Sequence, residues 1–275
     1  MNRSLSTRWL ILALGLVFLT AGLSLYAQQQ GGYQPQVGQA GKDVVWVPTD
    51  EGLVGKMLDM AKVTPQDFVI DLGSGDGRTV IAAAKRGARA YGIEYNPDMV
   101  DLSIRNAAEA GVSDKATFTK ADIFESDFSK ATVITMFLLP DINLKLRPKL
   151  LNLKPGTRVV SNSFTMEDWP ADETASMEGK CVTWCTAFLW IVPPNVEGKW
   201  RLQDGELTIT QQFQIIKGTL VSGGKSTPIV GRLRGEQIKF SADDAEYTGQ
   251  VNGDAIAGTI KKAAGDSKWS ATREK

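Results

Sequence analysis

The chain has 275 residues, of which 43% are hydrophobic, so it is long and apolar enough to form one or two globular domains with buried cores. Its 31 Lys and Arg residues balance 31 Asp and Glu residues, and no stretch interleaves basic with aromatic residues, so we expect no nucleic-acid partner. Histidine is absent, which excludes histidine bases, Ser-His and Cys-His nucleophiles and imidazole zinc sites, and we predict no metal site.

The first 27 residues have the composition of a targeting segment. Arg3 and Arg8 precede an uncharged apolar run, residues 9–27, which predicts either a cleaved signal peptide or a membrane anchor. The run is long for a signal peptide, and Leu25 stands where a small residue is usual, so both alternatives stay open. The arginine flank favours a cytoplasmic N-terminus with the folded part on the other side. We therefore expect a membrane-associated or exported protein.

Residues 28–43 are rich in Gln and Gly and predict a flexible linker, so the fold is expected to begin near Val44. From there to residue 195, helical and extended apolar patterns alternate. The predicted helices cover 50–61, 79–85, 96–110 and 146–153, and the predicted strands cover 68–72, 90–94, 116–119, 132–138 and 157–163. This alternation predicts an α/β fold with a Rossmann-like, doubly wound, mostly parallel sheet.

The two cysteines, Cys181 and Cys185, fall in an apolar stretch that is typical of a strand. Four strand residues span about 13 Å, which is too far for a disulfide, so we expect two buried thiols. Residues 184–192 are expected to complete the sheet as its antiparallel edge.

After residue 195 the pattern changes to short strands and turns. Residues 231–238 and 249–256 share the pattern Gly-x-(Leu/Val)-x-Gly-x-x-Ile, and Asn252-Gly253 is a strong hairpin signal. Residues 196–275 therefore predict a small all-β antiparallel meander, closed as a barrel or laid against the first domain, with a scaffolding role.

Three glycines, Gly73, Gly75 and Gly77, lie in the turn between the first predicted strand and the helix that follows it. Ligands of open parallel sheets bind at the carboxyl ends of the strands, and this turn lies closest to them. Glycine permits positive φ angles and lets backbone N–H groups approach a ligand. Together with Ser74 and Asp76, the glycines form the predicted cofactor turn.

Acidic residues around this turn separate the candidate cofactors. Asp71 and Asp76 would repel the pyrophosphate of a dinucleotide, whereas they complement the ammonium and sulfonium groups of S-adenosylmethionine. Glu94 ends the second strand, where a carboxylate can accept hydrogen bonds from both ribose hydroxyls. Asp122 and Ile123 follow the third strand and suit the amino group and the ring face of adenine. The predicted cofactor is S-adenosylmethionine, whose synthesis in the cytosol stands against an exported domain.

Residues 44–165 resemble the class I, seven-strand methyltransferases, and most of all the family of the ATP synthase c-subunit lysine methyltransferases. The segments that carry the resemblance are Val47-Pro-Thr49, Asp71-Leu-Gly-Ser-Gly-Asp-Gly-Arg78, Gly92-Ile-Glu-Tyr95, Leu146-Arg-Pro-Lys-Leu150 and Pro155-Gly-Thr-Arg-Val-Val-Ser161. The resemblance implies a seven-strand sheet, cofactor contacts from Thr49, the glycine turn, Glu94 and Asp122, and N-methylation of a protein lysine, with a membrane protein among the candidate acceptors.

The resemblance also implies that the loop after the fourth strand, residues 138–143, faces the methyl acceptor. Leu139, Pro140 and Asn143 are the candidates there, and the catalytic residue stays unknown. Many amino-methylating relatives carry Asn/Asp-Pro-Pro-Tyr/Phe at this place, whereas this chain reads Phe137-Leu-Leu-Pro140. Two alternatives therefore stay open: methylation of a small molecule or lipid, and a cofactor sensor without catalysis whose C-terminal part binds a partner.

Overall fold

The computed structural model describes residues 32–179, 181–263 and 265–274. The predicted signal peptide or anchor, residues 1–27, lies outside the described residues, as does the start of the predicted linker. Among the helices in the described ranges, none is both long enough and apolar enough to cross a membrane.

A seven-stranded, mostly parallel sheet forms the first part of the fold, with the strand order β3-β2-β1-β4-β5-β7-β6. Its strands are β1 (Phe68–Leu72), β2 (Arg89–Glu94), β3 (Ala116–Lys120), β4 (Val133–Met136), β5 (Arg158–Asn162), β6 (Glu173–Ser176) and β7 (Thr186–Ile191). The helices described with it are α1 (Glu51–Met60), α2 (Arg78–Lys85), α3 (Pro97–Glu109) and α4 (Pro140–Leu151). The strand order reverses between β1 and β4, which is where open sheets bind ligands.

Helix starts follow from local side-chain chemistry. The Asp50 carboxylate accepts hydrogen bonds from the backbone N–H groups of Gly52 and Leu53 and caps α1. The Asn96 side chain caps α3 in the same way, accepting a hydrogen bond from the backbone N–H of Asp98. Pro97 occupies the first turn of this helix. The predicted helices and strands up to residue 137 agree with the structure to within about two residues at most ends.

Helix α4 corrects the prediction for residues 138–143. The sequence indicated a loop there and a helix over 146–153, but the helix already begins at Pro140 and ends at Leu151. Pro140 suits the first position of a helix, because the backbone N–H that proline lacks would have no partner within the helix there. Pro148 lies inside the helix, where proline is unfavourable, and so obscures the helical pattern in the sequence. The predicted acceptor loop is therefore mostly the first turn of α4.

The prediction of two free, strand-bound thiols was wrong. Cys181 and Cys185 form a disulfide with their Cα atoms 5.8 Å apart. Strand β7 begins only at Thr186, and Trp184 takes a left-handed φ of +60°, so the chain turns back on itself between the two cysteines. Strand β7 also lies between β5 and β6, so β6 is the edge of the sheet.

The second part of the fold is a closed, eight-stranded antiparallel barrel in which each strand pairs with the next along the chain. The strands are β8 (Gly198–Leu202), β9 (Gly205–Gln212), β10 (Ile215–Ser222), β11 (Lys225–Arg234), β12 (Gln237–Ala242), β13 (Ala245–Asn252), β14 (Ala255–Lys262) and β15 (Gly265–Arg273). The predicted meander is thus present and closes through the pairing of β15 with β8. Phe240 and Tyr247 stack inside, with Trp269 packed edge-on against both rings, so side chains fill the barrel.

The barrel joins the sheet near β6 through the turn between β9 and β10. Phe213 in that turn stacks on buried Trp169, with ring centroids 5.8 Å apart, and Gln214 donates a hydrogen bond to the Pro170 carbonyl. Arg232 on β11 forms an ion pair with Asp172. These contacts lie beside the edge strand β6, away from β1 and β2.

Arg158 on β5 pairs with Asp67, which is 8% exposed, and donates to the Ala61 carbonyl at 2.7 Å. Burial opposes ionisation of Asp67, but hydrogen bonds from Thr132 and Arg158 hold its pKa below the usual value. We expect Arg158→Met to lower the free energy of unfolding by about 3 kcal/mol, because it leaves a buried carboxylate without its cation. Denaturation followed by tryptophan fluorescence measures this change.

The matched control is Arg86→Met. Arg86 is 29% exposed and Arg158 is 21% exposed, but the partner of Arg86, Asp59, is 73% exposed. Its loss should cost only about 0.5 kcal/mol. An equal loss of unfolding free energy in Arg158→Met and Arg86→Met would show that burial of the Asp67 carboxylate does not determine the cost.

Candidate active site

A cleft opens at the carboxyl ends of β1, β2 and β4, with an empty volume of about 1070 Å³ when its solvent-filled mouth is included. Nine of the ten predicted cofactor residues line it: Thr49, Asp71, Gly73, Ser74, Gly75, Asp76, Glu94, Asp122 and Ile123. The fold therefore brings together predicted residues from four separate segments of the chain. Gly77 is the tenth, and it has a different environment.

The glycine turn is held by the neighbouring strand. The backbone N–H groups of Gly73 and Ser74 both donate to the Ile93 carbonyl at the end of β2, and Gly75 donates to the Glu94 carboxylate at 2.9 Å. Gly75 has φ +54°, and a Cβ atom added there would lie 2.7 Å from the Trp46 ring nitrogen. The turn therefore requires glycine for both its backbone angle and its close contact with Trp46.

Gly77 serves packing at the start of α2. A Cβ atom there would lie 2.8 Å from the Phe118 ring and 2.9 Å from Ser103. This close approach lets α2 pack against α3 and β3, and the cleft-lining residues do not include Gly77.

Asp71 is a buried carboxyl group in the wall of the cleft. Burial raises its pKa to about 7, the Thr135 hydroxyl partly offsets this through a 2.6 Å hydrogen bond, and the charges of Glu94 and Asp76 raise the pKa further. A cation placed next to Asp71 would lower that pKa again. Asp71 is thus partly protonated near neutral pH, and a positive ligand beside it favours its charged form.

Asp76 is not a free charge, which changes the electrostatic argument made from the sequence. The Arg78 guanidinium contacts both Asp76 carboxylate oxygens, with the shorter distance being 2.6 Å, and also donates to the Thr49 carbonyl at 2.8 Å. Asp71 and Glu94 are therefore the cleft-lining carboxyl groups that form no ion pair among the described residues, since Asp43 and Asp122 pair with Lys42. Arg78 also fixes the Thr49 segment against the glycine turn.

Glu94 uses one carboxylate oxygen to accept from Gly75 and the other to accept from the Asn96 backbone at 2.9 Å. Each oxygen keeps a lone pair, so the carboxylate can still accept from a pair of hydroxyl groups in the cleft. Glu94 thus combines the predicted ligand contact with support for the glycine turn.

Residues 39–43 also line the cleft, which composition alone did not indicate because a Gln- and Gly-rich stretch is typical of a linker. Lys42 forms an ion pair with Asp122 and lies 4.9 Å from the centre of the Tyr95 ring. Hydrogen bonding to Lys42 lowers the pKa of Asp122 and raises that of Lys42. The only sequence signal was the pair Lys42-Asp43 at the end of the stretch.

The three acceptor-loop candidates do not line the cleft within the described part of the chain. Leu139 is 45% exposed, Pro140 starts α4, and Asn143 is fully buried and donates to the Thr165 carbonyl at 3.2 Å. Their neighbours Phe137, Leu138 and Ile142 line the cleft instead. This wall of the cleft is therefore apolar and aromatic.

The cleft fits S-adenosylmethionine by its unbalanced polar groups. Two carboxyl groups of the cleft wall, Asp71 and Glu94, form no ion pair among the described residues, and each Glu94 oxygen keeps a lone pair. A ligand with an ammonium group, hydroxyls and a sulfonium would satisfy this set, whereas a pyrophosphate would meet two carboxylates.

Known methyltransferases resemble the first part of this chain. The model of the ANTKMT methyltransferase domain family matches residues 71–173, which ends before the barrel. A protein-lysine N-methyltransferase of Saccharolobus islandicus is 43% identical over 152 residues, covering 54% of this chain and 94% of that relative. The ATP synthase c-subunit lysine N-methyltransferase of Mus musculus is 39% identical, covering 42% of this chain and 47% of that protein. The chain thus spans nearly all of the first relative and about half of the second.

Among solved structures, an RNA methyltransferase from Salinibacter ruber in complex with S-adenosyl-L-homocysteine is 47% identical to this chain. The match has a TM-score of 0.51 and covers 55% of this chain and 96% of that one. S-adenosyl-L-homocysteine is the product that remains after S-adenosylmethionine has given up its methyl group.

Proposed function

This chain belongs to the ANTKMT-type family of S-adenosylmethionine-dependent methyltransferases, and from that premise we propose that it methylates the side-chain amine of lysine in a protein. The observation that carries the proposal is the joining of the glycine turn, Asp71 and Glu94 at one end of a cleft whose other wall is apolar. The relatives named as lysine methyltransferases support the choice of acceptor.

The donor end of the cleft is assigned to residues of the first two strands and of the turn after the third. Asp71 faces the methionine ammonium, Glu94 accepts from the ribose hydroxyls, and Asp122 with Ile123 holds the adenine. When bound, S-adenosylmethionine supplies a methyl group that leaves from a cationic sulfur. The protein then has only to align the acceptor nitrogen with that methyl group, which is a large part of the catalytic effect in such displacements.

The acceptor end of the cleft suits an amine that must lose its proton before it attacks. Phe137, Leu138 and Ile142 provide a wall of low polarity, which disfavours the ammonium form and lowers the pKa of a lysine that enters it. The chain has no histidine, and this arrangement does not need one.

The test is methyl transfer by the full chain, purified in mild detergent, with tritiated donor and separate protein, lipid and RNA fractions. We expect label in protein, stable to mild alkali, and a mass increase on lysine in peptide sequencing. The control is Glu94→Ala, which should lose donor binding and all label.

Other label distributions decide between the alternatives. Label in the lipid fraction would replace the proposal with lipid or small-molecule methylation, and label in RNA would extend to this chain the activity given for the Salinibacter structure. Donor binding without transfer to any fraction would favour a sensor. Membrane proteins are included because the apolar residues 9–27 predict membrane association.

We also propose that the folded part works in an oxidising compartment. The Cys181–Cys185 disulfide is of a kind that persists outside the cytosol, and the flanking Arg3 and Arg8 favour the same side. In intact cells, a membrane-permeant alkylating mass tag should leave both cysteines unmodified until a reductant is added. If both cysteines are tagged at once and a reporter fused to the C-terminus is active in the cytosol, the folded part lies in the cytosol, where the donor is made.

A further inference from the structure

Three aromatic side chains meet at the acceptor end of the cleft. The ring centroids of Phe137 and Phe164 are 5.9 Å apart, those of Phe137 and Trp184 are 6.0 Å apart, and those of Phe164 and Trp184 are 5.1 Å apart. Phe137 follows β4, Phe164 follows β5, and Trp184 precedes the antiparallel β7. The sheet topology therefore puts all three at the same edge of the sheet as the glycine turn. We call these residues the aromatic trio.

The trio is continuous with the cleft and open to solvent. Phe137 lines the cleft, while Trp184 is 46% exposed at the outer end of the trio. A tryptophan exposed to that extent leaves part of its side chain without a packing partner. Aromatic faces attract ammonium groups and pack against aliphatic chains, which are the two parts of a lysine side chain.

The loop that carries Trp184 is closed by the disulfide and lies outside the named strands and helices. Trp184 lies inside the five-residue ring closed by Cys181 and Cys185 and adopts φ +60°, which non-glycine residues rarely take. Left-handed geometry at a bulky residue persists only where the surroundings impose it. The Cys181–Cys185 cross-link closes this loop immediately before β7.

We propose that the aromatic trio is the entrance along which the acceptor side chain reaches the donor, and that the Cys181–Cys185 disulfide positions Trp184 as its outer wall. The proposal rests on the proposed lysine methylation for the identity of the acceptor. Trp184 is then a specificity-determining residue, and the two cysteines are positioning residues that act through it.

The first test compares variants in steady-state transfer to the acceptor identified with the wild-type protein. We expect Trp184→Ala to raise the KM for the acceptor about tenfold, Trp184→Phe to recover most of that loss, and the donor Kd to stay unchanged in both. The Cys181→Ser/Cys185→Ser double variant should have an acceptor KM between those of Trp184→Phe and Trp184→Ala. The control is Val182→Ala, because Val182 is 92% exposed within the same disulfide-closed ring. Unchanged acceptor kinetics in Trp184→Ala would overturn the proposal.

The second test does not require methyl transfer, so it separates this inference from the proposed function. The protein contains seven tryptophans, and 5-fluorotryptophan labelling with Trp184→Phe as reference assigns the Trp184 fluorine signal. In protein loaded with S-adenosylhomocysteine, a lysine-containing peptide should shift that signal, and the same peptide with norleucine in place of lysine should shift it less. A Trp184 signal that neither peptide moves would overturn the entrance even where lysine methylation is found. A shift without transfer would uphold the entrance and count against the proposed function.

Discussion

Replacing Gly75 by valine should weaken donor binding at least a hundredfold while the protein stays folded. Gly75 has φ +54°, its backbone N–H donates to Glu94, and a Cβ atom would lie 2.7 Å from Trp46 and 3.7 Å from Met99. The larger side chain must push the turn or Trp46 into the cleft and break the link to Glu94. A hundredfold loss corresponds to about 2.7 kcal/mol of binding free energy.

Isothermal titration calorimetry with S-adenosylmethionine measures this loss, and circular dichroism checks the fold. The matched control is Gly111→Val, because Gly111 also has a positive φ, +68°, but an added Cβ there meets nothing within 4 Å. This control should lower thermal stability through backbone strain and leave the donor Kd unchanged. Equal donor affinity in Gly75→Val and wild type would remove the glycine turn from the donor site.

The donor half of this site was predictable because its signals are local and reinforce one another. A buried apolar run, β1, is followed by a glycine turn and then by a helix, and each of these can be read within about ten residues. The positions of Glu94 and Asp122 in the cleft were predictable because each follows a parallel strand, and the carboxyl ends of such strands lie at one edge of the sheet. The ion pair between Asp76 and Arg78 could also have been predicted, because the two residues are only two positions apart in sequence. From the sequence alone, Asp76 was counted as a free charge instead.

The acceptor half depends on contacts between distant segments, which no local pattern encodes. Trp184 meets Phe137 and Phe164 only because β4, β5 and β7 are neighbours in the sheet. The disulfide was excluded on the assumption of extended geometry, and a single left-handed residue, Trp184, removes that assumption. Closure of the barrel likewise needs the pairing of β15 with β8, which are about seventy residues apart in sequence.

Donor affinity should also depend on pH, through Asp71. In the donor-free protein, burial raises the pKa of Asp71 to about 7, with Glu94 and Asp76 adding to the effect and Thr135 opposing it. The cationic donor favours the ionised carboxylate, so binding below pH 7 must release a proton. Between pH 8 and pH 6 the donor Kd should rise about tenfold, with about 0.9 proton released per donor at pH 6 and about 0.1 at pH 8.

Calorimetry in buffers of different ionisation enthalpy measures the proton release directly, and Asp71→Asn is the control. The amide should bind the donor more weakly than wild type at pH 8 and should not release the additional proton at pH 6. Proton release that is the same in wild type and Asp71→Asn would show that another group, such as the donor's own amine, carries the pH dependence.

The same pKa predicts how stability responds to pH, with the opposite sign to that of an ordinary ion-paired carboxylate. The folded, donor-free protein holds a proton on Asp71 that the unfolded chain loses near pH 4, so the free energy of unfolding should fall as pH rises from about 4 to 7. Asp67 acts in the reverse direction, because its lowered pKa contributes stability that is lost as pH falls through that value. Donor binding should restore the stability lost at Asp71, since the cation replaces the proton. The thermal shift caused by saturating donor should therefore be larger at pH 8 than at pH 6, and Asp71→Asn should remove that difference.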